Sequence, residues 1–116
     1  MTPNAAYQRI NKLIWLGRLP KASVVFVDPD MIPNHLGFTN HDEDIFIKPV
    51  ITLSRRKHWG RTLVHEMLHV SEPNLNHGPV FDFLVRRYWR LVKKHLKYFQ
   101  PARKSKPPEI QEKAQK

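Results

Sequence analysis

The sequence predicts a single α+β domain, with helices packed on a small three-stranded sheet. Three observations predict it. Helical spacing of apolar residues occurs near the start and recurs in two segments after residue 57. Short β-branched runs lie between these helical segments. Pro, Gly and Asn mark the joins. At 116 residues and 41% hydrophobic, the chain has enough apolar material for one modest core. It has no cysteine, so neither disulfides nor a thiolate metal site can reinforce that core.

Residues 4–16, NAAYQRINKLIWL, read as the first helix. Asn4 is placed to cap it, Ala6, Ile10, Leu13 and Ile14 recur on one face, and Gly17 ends it. ASVVFVD, 22–28, has the β-branched composition of a buried strand. A proline- and Asn/Asp-rich loop follows, with a short strand expected at Leu36–Thr39. DIFIKPVITLS, 44–54, alternates around Pro49, which predicts an edge strand or a bulge because proline donates nothing to a ladder. Residues 58–71 read as a second helix stopped by Pro73. Residues 79–99 read as a long amphipathic helix with Pro79 in its first turn. From Gln100 the chain is polar and proline-bearing, which predicts a disordered basic tail over 100–116.

The net charge of +10 is unevenly placed. Residues 1–54 hold five Lys/Arg and five Asp/Glu, whereas residues 55–116 hold fifteen and five. Such asymmetry suggests DNA contact through the basic residues of 55–106. No basic, apolar leader opens the chain, and no run reaches the ~18 apolar residues of a membrane span. The expectation is a soluble cytoplasmic protein without membrane contact.

The most informative stretch is HEMLHVSEPNLNHGPVF, 65–81. On a helix, residues i and i+4 lie one turn apart on one face, so His65 and His69 can share one ion. His77, returned by the loop, can be the third ligand, with Gly78 allowing a sharp turn behind it. Three imidazoles and an open position for water make a catalytic zinc site. Glu66, beside the first ligand, is then the general base for a metal-bound water, and H-E-x-x-H on a helix is a signature of peptide hydrolysis. The same donors also accept manganese, cobalt or nickel.

TLVHEMLHV followed by NHGPVF resembles the SprT-like zinc metalloprotease family, some of whose members cleave DNA–protein crosslinks. The resemblance spans roughly residues 5–99 and is strongest over 62–81; GFTN, IFI and ITLS upstream also resemble the family's pattern. It implies a small zincin-like domain over residues 1–99, in which an HExxH helix is followed by a long C-terminal helix. It implies His65, His69 and His77 on zinc, Glu66 as the catalytic base, Gly78 and Phe81 as framework, and a protein substrate. The loop between His69 and His77 has seven residues, shorter than in many relatives, and no Cys-rich zinc ribbon follows. The small size suggests a stand-alone version of the kind found in bacteria or their phages.

Asp82 can orient a ligating histidine, or simply favour a first helical turn. Tyr88 can stabilise an oxyanion, but its spacing from Phe81 and Leu84 favours the core. His35, His41, His58 and His95 lack partner spacing and read as surface or core histidines. SRRKHWGR, 54–61, sets Trp59 among cations, which suits either single-strand contact or a packed helix start. The strand around Pro49 can form a cleft wall that pairs with an extended peptide. A different class of function is a basic nucleic-acid-binding module with a structural metal and no proteolysis.

Overall fold

The computed structural model describes residues 2–40, 48–96 and 99. In chain order the elements are helix α1 (Pro3–Trp15), strand β1 (Ser23–Val27), strand β2 (Gly37–Asn40), strand β3 (Val50–Ser54), helix α2 (Trp59–Ser71) and helix α3 (Pro79–His95). A single 3₁₀ turn, Pro29–Met31, follows β1. The fold is α+β, as the patterning predicts.

The first helix is capped by Thr2, whose hydroxyl accepts from the Ala5 amide at 3.1 Å, with Pro3 in the first turn. Asn4, expected as the cap, does something else. Its side-chain amide donates to the Val24 carbonyl at 3.2 Å and accepts from the Val24 amide at 2.9 Å. It therefore mimics a strand neighbour and covers both backbone groups of one residue of the outer strand β1. Asn11 clamps Leu19 in the same two-way manner, at 3.2 and 3.1 Å. Leu16 and Gly17 adopt positive φ at the helix end, and the Gly17 amide donates back to the Asn11 carbonyl.

The sheet order is β1-β3-β2, with β1 parallel and β2 antiparallel to β3. This corrects the edge-strand expectation for the segment around Pro49. That proline precedes the strand, where its missing N–H is harmless and its carbonyl accepts from Ser23 at 3.1 Å. The ladder starts at Val50, so β3 is the central strand. Residues 44–47 of the predicted strand lie outside the described residues. β1 and β2 take the two outer positions, and β2 borders a cleft.

Ile51 and Leu53 share one face of β3 and are completely buried. They join Ile10 of α1, Leu63, Val64, Met67 and Leu68 of α2, and Phe81, Val85 and Val92 of α3 in one core. α2 is the most buried helix because its apolar residues recur at three- and four-residue steps over most of its length. α3 ends at His95 rather than at residue 99; Leu96 is already extended. Phe99 nonetheless packs edge-on to Trp59 and Trp89, at 5.3 and 5.5 Å between ring centroids. The predicted tail, 100–116, lies outside the described residues.

Candidate metal centre

The second helix is a two-faced element. Leu63, Val64, Met67 and Leu68 are driven into the core, and this rotation turns His65 and His69 outward together. A short turn after the helix, with the Leu75 amide donating to the Glu72 carbonyl, carries His77 back over the same face. Seven intervening residues suffice. The Nε2 atoms of His69 and His65 are 3.3 Å apart, and those of His77 and His69 are 2.9 Å apart. Ligand atoms of all three lie within 4.8 Å of one another.

These separations can be tested against a metal. Zn–N bonds of ~2.0–2.1 Å at tetrahedral angles place ligand nitrogens roughly 3.3–3.4 Å apart. Two of the pairs, at 3.3 and 2.9 Å, are near that spacing, and the three ligand atoms all lie within 4.8 Å of one another. Three imidazole nitrogens gathered this closely bring acceptor lone pairs together, an arrangement that a divalent cation satisfies. The donor set therefore fits a metal ion.

Phe81 forms the floor. It is fully buried, and its ring centroid lies 4.8, 4.7 and 4.9 Å from those of His65, His69 and His77. One side chain thus limits how far all three imidazoles can rotate. Gly78 does not act as expected. Its φ of 161° is ordinary extended backbone, and a Cβ there would meet nothing within 4 Å. Its carbonyl accepts from the Asp82 amide in the first turn of α3. A sharp glycine turn is not what positions His77.

Glu66 is buried, with only 5% of its surface exposed. Its Oε1 accepts a 2.6 Å hydrogen bond from the Thr39 hydroxyl on β2, and its Oε2 lies 3.9 Å from Nε2 of His65. Burial raises its pKa above the usual carboxylate value, opposed in part by the Thr39 hydrogen bond and by His77. The His65 pKa is lowered to about 4, first by burial and then by the proximity of His69 and His77. His65 is therefore neutral near pH 7, the form that ligates metal. Asp82 opposes that shift through its charge. It makes no hydrogen bond to a ligating ring among the described residues, so its place is the first turn of α3.

The cluster opens into a cleft of about 380 Å³ lined by His35, Gly37, Phe38, Thr39, His65, Glu66, His69, Pro73 and His77. Sequence reasoning missed Thr39 and read His35 as a surface or core histidine, whereas both line the cleft. Alternation within β2 places Gly37 and Thr39 on one face, which was the available signal. Nothing local marks His35, which a loop delivers to the rim. His58 stands at the start of α2 without a side-chain cap bond, and His95 ends α3; neither lines the cleft. His41 lies outside the described residues. Tyr88 packs edge-on against Trp15 at 5.4 Å, a core position. Trp59 packs between Phe26 and Phe99, at 5.1 and 5.3 Å, so its indole is committed to the helix start rather than to a stacked base.

No family model, curated protein or solved structure matches the chain. Among the described residues no helix is long and apolar enough to cross a membrane.

Proposed function

We propose that this chain is a zinc-dependent metalloprotease of SprT-like type that hydrolyses peptide bonds. The observation that carries the reading is the convergence of His65, His69 and His77 beside the buried Glu66 carboxylate, in a cleft open to a substrate. His65, His69 and His77 would hold the ion. Zinc, when bound, would supply Lewis acidity and lower the pKa of a ligated water toward ~7.

The remaining chemistry belongs to the chain. Glu66 takes a proton from the attacking water at Oε2 and delivers it to the leaving amine. Its raised pKa suits a group that must both accept and return that proton. Strand β2 pairs with β3 on one side only among the described residues. Its other edge offers backbone groups to an extended peptide lying across the cleft. Proteins held on DNA are the substrates that the charge of residues 55–116 favours.

The test is digestion of an unfolded protein such as casein by zinc-loaded wild type and Glu66→Gln. The variant should keep its zinc and lose at least roughly a hundredfold in rate. Full cleavage by Glu66→Gln would sink the mechanism.

A second reading keeps the metal and drops turnover: a nucleic-acid-binding module. The observation favouring it is the basic excess confined to residues 55–116, including Arg86, Arg87, Arg90, Lys93 and Lys94 along α3. With Trp59 packed, such binding rests on phosphate contacts and must weaken steeply with salt. Salt-sensitive DNA binding with no proteolysis under any condition selects this reading. Absence of DNA binding even at low salt ends it.

A further inference from the structure

We propose that Thr39 is a positioning residue for Glu66: its hydroxyl holds Oε1 so that Oε2 faces the three histidines. This rests on the peptidase reading and adds to that site a residue from outside the HExxH helix.

A glutamate side chain has three torsions, and burial alone does not choose which carboxylate oxygen meets the reacting water. Here the two oxygens are distinguished. Oε1 accepts the Thr39 hydroxyl at 2.6 Å, the length of a charge-assisted bond. Oε2 is left on the histidine side, 3.9 Å from Nε2 of His65. The hydroxyl has a single proton, and its donation to Glu66 uses it. Thr39 lies 27 residues from Glu66 in sequence and on the outer strand, so the contact also ties β2 to α2.

The close approach of that strand has its own cause. A Cβ at Gly37 would lie 2.9 Å from Cγ2 of Thr62 and 3.0 Å from the Thr52 carbonyl oxygen. Only glycine lets β2 sit this near α2 and β3, and Thr39, two residues on, shares its face. Glycine sets the spacing and threonine uses it.

The experiment compares wild type, Thr39→Val and Thr39→Ser. Valine keeps the branched shape and strand preference but removes the hydroxyl; serine keeps the hydroxyl. A first readout needs no metal and no turnover. In the metal-free chain Thr39→Val should lower the melting midpoint by roughly 4–8 °C, and should not lower it further in a Glu66→Ala background. The second readout is kinetic, at equal zinc content. Thr39→Val should lose roughly ten- to hundredfold in kcat with KM within about twofold, and Thr39→Ser should recover most of it.

Equal midpoint losses in both backgrounds would overturn the contact. Wild-type kcat in zinc-loaded Thr39→Val would overturn its positioning role while leaving the peptidase reading intact. A wild type that binds zinc but cleaves nothing would instead fail that reading, and the positioning role with it, while the midpoint coupling would still report the Thr39–Glu66 bond.

Discussion

Replacing Phe81 with leucine should weaken metal binding about tenfold while the domain stays folded. Phe81 is fully buried and meets all three imidazoles at 4.7–4.9 Å between ring centroids. Truncation to alanine would leave a cavity under the site and cost about 3–5 kcal/mol. That is a large fraction of the ~5–15 kcal/mol of a small domain, so alanine confounds folding with binding. Leucine fills most of the volume, and such swaps usually cost less than about 1.5 kcal/mol. What leucine cannot supply is the flat ring surface against three imidazoles. Aromatic pairs contribute ~0.5–1.5 kcal/mol each beyond buried area, and here the three share one ring, so the terms do not simply add. Losing about one such pair loosens the ligands enough to lower metal affinity roughly tenfold, at 1.4 kcal/mol per decade. Urea unfolding of the metal-free chain measures the first effect, and competition with a chromophoric chelator measures the second. Zinc binding as tight in Phe81→Leu as in wild type would refute the claim that this ring orients the ligands.

Further predictions follow from the same geometry. Gly78→Ala should change stability by no more than about 0.5 kcal/mol and leave metal affinity intact, because its backbone is extended and its surroundings are open; thermal unfolding checks this. Gly37→Ala should cost about 1–3 kcal/mol, because the new methyl meets the Thr52 carbonyl, and should lower peptidase activity as β2 moves away. Asn4→Ala should cost about 1–3 kcal/mol in urea unfolding by freeing both backbone groups of Val24. The Tyr7 hydroxyl, buried and donating to the Pro20 carbonyl at 2.6 Å, has its pKa raised to about 12 by desolvation. A raised pKa contributes stability that is complete below the unfolded value near 10 and is lost as pH rises toward 12. Alkaline melting should therefore steepen over that window, by about 2–3 kcal/mol in all, and Tyr7→Phe should remove that component.

What was legible in the sequence was local. His65 and His69 share a face because helix periodicity requires it, and their orientation followed from Leu63, Val64, Met67 and Leu68 needing burial. His77 was visible as a histidine at the end of a loop too short to stray far. Long-range pairing was not legible. Pro49 looked like a reason to exile its strand, but the ladder begins one residue later and the strand is central. Asn4 and Thr2 are both good caps, and only the proximity of Val24, 20 residues away, decides that Asn4 is used elsewhere. The residue type of Gly78 suggests a conformational task, whereas Gly37, which no local pattern marks, has the steric one. Strand alternation marks the face Thr39 shares with Gly37 but not the sheet order that brings it to the cleft, and no periodicity encodes the loop path of His35.

Peptide hydrolysis by this cleft requires His65, His69 and His77 to act as one metal site. The most direct test is metal content by mass spectrometry of purified wild type beside His69→Ala and His77→Ala, each supplied with zinc. About one zinc per chain in wild type, sharply reduced in both variants, is the predicted result. No zinc in wild type, or undiminished zinc in both variants, would contradict it.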